Sequence, residues 1–222
     1  MNSIQCANCG NVSCTMDPFT VLKLKFESSV RKNVIKMKEL YENNFAPEQF
    51  VEENKYVCLP CGNTRQNATK TSDFHSSCNV CGKPCYPETL LLSFARFYLN
   101  VQTGARTKIT TPVDFGPTLT FKGLLIYNLI GIIIHDGDTD ESGHYYAYLR
   151  LANGVGLGNS WFEVNDTVVR QVSDDKVDDI CQGRHKPGVT PYILCYQCSP
   201  DTPSFSFPRC ACRQQASRLV IN

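Results

Sequence analysis

The chain has 222 residues, of which 42% are hydrophobic and 19% charged, with a formal net charge of +1. That length buries a real core, as one large domain or one and a half, and the near-neutral balance argues against non-specific nucleic-acid binding, which needs a basic face. No apolar run approaches the roughly 18 residues of a membrane span, and the polar, Cys- and Asn-rich start does not read as a signal peptide.

Cys6 and Cys9 open the chain as a Cys-x-x-Cys pair followed by Gly10. Phe19 to Phe26 alternates like a strand, with Leu22 and Leu24 on one face. Ser28 to Tyr41 predicts an amphipathic helix, because Val30, Val34, Met37 and Tyr41 recur at steps of three and four. Ala46-Pro47-Glu48 predicts a short second helix, with proline near its first turn. Residues 54 to 86 are rich in cysteine and carry the pairs Cys58/Cys61 and Cys78/Cys81.

From Thr89 to Tyr196 the pattern is short β segments separated by Gly, Asn and Asp turns. Leu90 to Phe97 is one strand, and the apolar stretch Leu124 to Ile134 reads as another, buried strand. Tyr145 to Leu149 and Trp161 to Val169 read as two antiparallel strands joined by the Gly-rich loop Ala152 to Asn159. That hairpin brings His144 and Asn165 close together. Asp174 to Cys181 predicts a short helix. Beyond Tyr196 the composition turns to Ser and Pro, and residues 197 to 222 read as a poorly ordered tail in which Cys210 and Cys212 have no assigned role.

Thirteen cysteines in so long a chain do not fit a small secreted disulfide scaffold. Two residues between cysteines aim both sulfurs at one ion, and two such knuckles complete a tetrahedral Cys₄ zinc site. The spacing allows two pairings. Cys6/Cys9 can join Cys58/Cys61, or Cys58/Cys61 can join Cys78/Cys81 as a zinc ribbon. His75, Cys78, Cys81 and Cys85 are a candidate second site, against the plainer reading of a surface loop with reduced thiols. The glycosylation triplets at Asn11, Asn67 and Asn165 are short enough to arise by chance.

His144 followed downstream by Asn165-Asp166 is the candidate catalytic set. An imidazole base whose N–H is held by an amide oxygen is two thirds of a papain-type triad. Taken singly the residues carry little. A lone histidine in a β-rich chain is usually structural, and Asn-Asp is a common turn signal.

The set as a whole resembles the C-terminal half of the ubiquitin-specific proteases, the papain-like deubiquitinases. That family's histidine box reads Y-x-L-x-G-x-x-x-H-x-G, then G-H-Y-x-A-Y, then W-x-x-x-N/D-D. Here these are Tyr127, Leu129, Gly131, His135 and Gly137, then Gly143-His144-Tyr145 with Ala147-Tyr148, then Trp161, Asn165 and Asp166. Upstream, Arg96-Phe97 matches the family's R-F strand end. Val113, Phe115 and Leu119 match V-x-F-P-x-x-L with Gly116 in place of proline. Tyr56, Cys58 and Cys61 with Ala68 and Lys70 match Y-x-C-x-x-C followed by A-x-K. Pro191 to Tyr196 matches the closing A-Y-x-L-x-Y strand, with Pro191 replacing alanine.

The resemblance implies an α+β, β-rich fold: the fingers and palm of a papain-like cysteine peptidase, without its thumb. It implies a partial catalytic domain over 1–196, with zinc-binding fingers at 1–88 and a palm at 89–196. His144 would be the general base, Asn165 its partner and Asp166 a nearby carboxylate, while His135 matches a family histidine outside the triad. It favours the pairing of Cys6 and Cys9 with Cys58 and Cys61, a closed structural Cys₄ zinc. It implies ubiquitin or ubiquitinated proteins as partners and an intracellular setting, in cytoplasm or nucleus, and it leaves the oligomeric state open.

The family's nucleophile lies in an N-terminal box near N-T-C-Y-M-N-S, and no such box occurs here; Met1-Asn2-Ser3 echoes only its end. Cys14, Cys181 and Cys195 are weak substitutes, the first placed in the fingers and the last in a core strand. The expectation is therefore a fragmentary deubiquitinase, inactive by itself. The alternatives are a non-catalytic ubiquitin-binding module and a zinc-ribbon interaction protein whose histidine box is coincidental.

Overall fold

The computed structural model describes residues 1–17, 19–26, 33–72, 87–99, 104, 106–121, 125–139, 142–151 and 160–199. His75, Cys78, Cys81 and Cys85, the loop Ala152 to Asn159, and Cys210 and Cys212 lie outside these residues, as does most of the expected tail.

In chain order the elements begin with β1 (Asn2–Cys6), β2 (Val12–Thr15), β3 (Val21–Lys25), β4 (Ile35–Lys36) and α1 (Met37–Asn44). Next come β5 (Glu48–Phe50), a 3₁₀ turn at Glu52–Asn54, β6 (Tyr56–Cys58), β7 (Thr64–Gln66) and β8 (Ala68–Ser72). Then follow β9 (Thr89–Ala95), β10 (Phe97–Leu99), β11 (Arg106–Lys108), β12 (Val113–Asp114), β13 (Thr118–Phe121) and β14 (Leu125–Asp136). The described chain closes with β15 (His144–Leu151), β16 (Ser160–Asn165), β17 (Val168–Val172), α2 (Asp174–Cys181) and β18 (Val189–Cys198). This is an α+β, sheet-rich fold with few helices.

Two compact units divide the chain. The first draws on Met1–Phe19 and Glu42–Tyr86. Its antiparallel sheet has the order β2-β1-β8-β5, and β6 and β7 form a separate hairpin. The second draws on Thr20–Tyr41 and Pro87–Phe205. Its main sheet runs β17-β16-β15-β14-β18-β9-β3, with β13 paired to β14. The pairing is antiparallel except for β3, which runs parallel to β9.

The core of the second unit follows from strand alternation. Leu24, Leu90, Leu92, Phe94, Leu129, Ile132, Ile134 and Leu194 are all buried. Each such side chain contributes roughly 1.5–3 kcal/mol through removal from water. Leu22 and Leu24 share a face, as the alternation predicts, and line an apolar cavity with Leu90 and Leu92. Arg96 is also fully buried. Its Nε donates to the Pro191 carbonyl at 2.6 Å, and its Nη1 donates to those of Ile109 and Thr111 at 2.9 and 3.0 Å. The guanidinium also lies over the Phe26 and Phe94 rings, at 5.2 and 5.3 Å. Burial lowers its pKa to about 9.

Three local expectations fail for identifiable reasons. Of the helix expected over Ser28 to Tyr41, residues 28–32 lie outside the described residues, residues 33–36 are not helical, and the helix found runs from Met37 to Asn44. Ile35 and Lys36 pair in parallel with Val113 and Asp114 instead, and the Ile35 N–H donates to the Pro112 carbonyl at 3.0 Å. A β-branched residue with a strand partner goes to the strand. Glu48 is not helical either, because Glu48–Phe50 pairs with Lys70 to Ala68 at the edge of the first sheet. An edge strand tolerates the neighbouring Pro47. Trp161 to Val169 is not one strand but two, broken by the turn at Asp166-Thr167. The helix at Asp174–Cys181 forms where its signals place it. The Ser173 Oγ accepts from the Lys176 N–H at 3.4 Å, and Asp174 and Asp175 occupy the first turn.

Candidate active site

His144 is the first residue of β15 and sits opposite Asp136, the last residue of β14. Asn165 is the last residue of β16, and the next residue, Asp166, adopts φ +51 in the two-residue turn to β17. Asp and Asn tolerate this left-handed conformation better than other residues with a Cβ. The two strand ends therefore meet side by side. His144 Nε2 lies 2.6 Å from Asn165 Oδ1 and 3.8 Å from Asp166 Oδ2. An amide oxygen only accepts, so Nε2 carries the proton and donates. That tautomer leaves Nδ1 with its lone pair free to take a proton from a thiol. The Asp166 side chain is 75% exposed and that of His144 is 47% exposed, so their mutual attraction is weak.

The same face of the sheet, with α2 and residues 184–189, encloses a cavity of about 720 Å³. His144, Tyr146, Tyr148, Glu163, Asn165 and Lys176 line it. No cysteine lines it among the described residues. Cys181 is 1% exposed, and burial pushes its thiol up to about 12. Burial also raises the Cys195 thiol. Neither has the thiolate character of a nucleophile.

The first unit gathers a different constellation. The Sγ atoms of Cys6, Cys9, Cys58 and Cys61 all lie within 4.8 Å of one another. Cys6 and Cys61 are 3.9 Å apart, and Cys9 and Cys58 are 3.6 Å apart. Four thiolates about 2.3 Å from one ion stand about 3.8 Å apart, so the donor set fits a tetrahedral metal. The Cys9 N–H bonds to the Cys6 sulfur and lowers its thiol to about 7, and the Cys61 N–H bonds to the Cys58 sulfur. Each knuckle ends on a glycine of positive φ, Gly10 at +69° and Gly62 at +73°. The arrangement can hold a metal ion.

The profile of the family described as ubiquitin carboxyl-terminal hydrolase matches residues 1–196. The chain belongs to this family. Human ubiquitin carboxyl-terminal hydrolase 42 is 29% identical over 172 residues, which cover 75% of this chain and 11% of that protein. Ubiquitin carboxyl-terminal hydrolase 8 of Saccharomyces cerevisiae is 29% identical over 196 residues, covering 79% of this chain and 36% of that one. The chain thus spans well under half the length of these relatives. A solved yeast SAGA DUB module superposes with a TM-score of 0.67 at 28% identity, covering 89% of this chain and 40% of that one. A SAGA DUB module bound to monoubiquitin gives 0.66 at 29% identity, with 89% and 39% covered.

Within the hydrolase fold, the first histidine of the box, His135, has a different setting. His135 pairs with Tyr145, one step out of phase with His144, and so points to the opposite face. It is 1% exposed, packed against Phe97 at 5.4 Å and Tyr145 at 4.7 Å. Its ring explains Gly143, because a Cβ there would collide with the imidazole and come within 3.0 Å of the Asp136 carbonyl oxygen.

Sequence reasoning missed two supports of this site. Lys108 is buried, and its Nζ donates to the carbonyls of His135, Gly137 and Gly188 at 3.2, 2.6 and 2.6 Å. All three ammonium protons are used, so the lysine ties the end of β14 to the start of β18. Its lone signal in the sequence is a basic residue in a β segment, which reads as surface. Glu163 accepts from Tyr148 Oη at 2.9 Å and from Lys176 Nζ at 2.7 Å. The Lys176 ammonium holds its carboxyl below the usual carboxylate range.

No helix among the described residues is long and apolar enough to cross a membrane.

Proposed function

We propose that this chain is the base-bearing part of a thiol-dependent deubiquitinase. The observation that carries the reading is the 2.6 Å contact between His144 Nε2 and Asn165 Oδ1. In this reading Asn165 holds the imidazole, and Nδ1 takes the proton of a cysteine thiol. The resulting imidazolium then protonates the leaving lysine amine of a ubiquitin conjugate. Asp166 lies 3.8 Å from the ring but is exposed, so its field at the imidazole is weak and solvent-screened. The thiol comes from outside the residues that line the cavity. Ubiquitin as substrate is supported by the family match and by the likeness to a module bound to monoubiquitin.

In the same reading Cys6, Cys9, Cys58 and Cys61 hold a structural zinc. When bound, the ion contributes folding free energy and has no open position for water. Reduced cysteines in such a set fit an intracellular setting, in cytoplasm or nucleus.

Titration with labelled ubiquitin tests the substrate. Saturable chemical-shift changes are expected along His144–Leu151, and their absence at millimolar protein would remove ubiquitin from the account. A fluorogenic ubiquitin amide tests the source of the thiol. The chain alone should give no turnover, and turnover abolished by His144→Ala would contradict an external nucleophile.

A further inference from the structure

The imidazole of a general base has to stay in one orientation, yet His144 is half exposed at the rim of a cavity of about 720 Å³. A single hydrogen bond to Asn165 leaves room for the ring to swing into that space. The structure supplies a wall. The Tyr146 ring lies alongside the His144 ring, with centroids 6.2 Å apart and planes 22° apart. Alternation puts His144, Tyr146 and Tyr148 on the same face of β15. Tyr146 occupies the place that the pattern G-H-Y-x-A-Y leaves open.

Tyr146 is itself anchored. Its ring meets that of Tyr148 edge-on, with centroids 5.8 Å apart. Tyr148 Oη donates to Glu163 Oε2 at 2.9 Å, and Glu163 is the register partner of Tyr148 on β16. The carboxylate is 12% exposed and accepts at 2.7 Å from Lys176 Nζ. That ammonium also lies over the Tyr148 ring, 5.3 Å from its centroid. Lys176 stands in the first turn of α2, where its backbone N–H is fixed by the Ser173 cap. An unbroken series of contacts therefore runs from α2 to the imidazole. Each link is satisfied, so a change at one end is transmitted as a change in ring freedom at the other.

We propose that Tyr146 is a positioning residue for the His144 imidazole, and that α2 holds it in place through Lys176, Glu163 and Tyr148. This rests on the reading of His144 as the general base. The bias that one stacked ring exerts between two imidazole orientations is roughly tenfold at most, so the effect is one of populations, not of presence or absence.

Proton NMR of the full chain with labelled histidine tests the proposal, with the His144→Ala spectrum assigning the signal. In the wild type the His144 Nε2–H is expected to exchange slowly, held by Asn165. Tyr146→Ala should speed that exchange about tenfold, and Tyr146→Phe, which keeps the ring, should restore most of the protection. Glu163→Gln and Lys176→Met should each speed it severalfold while both rings remain. Exchange at the wild-type rate in Tyr146→Ala overturns the positioning role. If that variant does not fold, the near-isosteric Glu163→Gln carries the test, and unchanged His144 signals there overturn the link to α2. A wild type with no protected Nε2–H would contradict the His144–Asn165 pair itself, and so the functional reading. A signal that persists through the variants contradicts only the role of Tyr146.

Discussion

The two units of this chain are built on different physics. In the first, the strands are three to five residues long, and only Cys6, Cys58 and Ala68 are buried apolar residues among those described. Two of those three are members of the four-sulfur cluster. In the second, β14 alone spans twelve residues, and the buried set includes Leu24, Phe94, Tyr127, Ile132, Ile134, Leu194 and Tyr196. A sheet that buries so little apolar area cannot offset its chain entropy by burial alone. A metal held by its cysteines would supply what the described apolar burial of the first unit does not, whereas the second stands on its core.

That contrast is broken most sharply by removing a sulfur. Cys58→Ser, or a strong chelator, should withdraw a metal contribution of about 10 kcal/mol and unfold the first unit. Amide exchange in β14 and β18 should change little. Loss of protection in both units together would show that they fold as one. Metal content of Cys6→Ser against Cys78→Ser decides the pairing, and full metal retention in Cys6→Ser would contradict the cluster described here.

The converse change is Leu194→Ala, at the centre of the larger sheet. It should cost the second unit about 2–5 kcal/mol while leaving metal content unchanged. Urea melts read on Trp161, which lies in that unit, would measure it.

Gly143→Ala is smaller and more local. The added methyl must displace the His135 ring or the Asp136 carbonyl, at a cost of about 1–3 kcal/mol. Denaturation should show this loss with normal metal content, and NMR should show His144 shifted out of register with Asn165.

The smallest effect is with pH. Burial lowers the pKa values of His135 and His185 below the ordinary imidazole value of 6.5. The unfolded chain then takes up protons before the folded one does. These histidines should leave the stability of the second unit unchanged above pH 6.5 and lower it as pH drops from there through the folded values. His135→Phe should flatten that slope, and an unchanged slope would mean that His135 is not the source.

Much of the second unit was legible in the sequence because its signals are local. The spacing of Tyr127, Gly131, His135, Gly143 and His144 marks two strands and the turn between them, and Ser173-Asp174-Asp175 announces α2. The candidate pair His144 and Asn165 was legible as a motif. Its geometry depends on a turn at Asp166 that Trp161 to Val169, read by composition, conceals as a continuous strand. What the sequence hid was long-range. Ile35 finds Val113, Phe50 finds Ala68, and Lys108 finds three carbonyls contributed by two other segments. No window of neighbouring residues records such partners. The Tyr148–Glu163–Lys176 contacts are hidden for the same reason, since they cross two strands and a helix.

The central claim is that His144 is the base for a thiol supplied from elsewhere. It is tested most directly by joining this chain to the N-terminal, cysteine-bearing segment of a full-length family member and measuring hydrolysis of a fluorogenic ubiquitin amide. The account predicts turnover that His144→Ala lowers by about 10³-fold or more, since loss of a triad member leaves only residual catalysis. Equal turnover with and without His144 would contradict it.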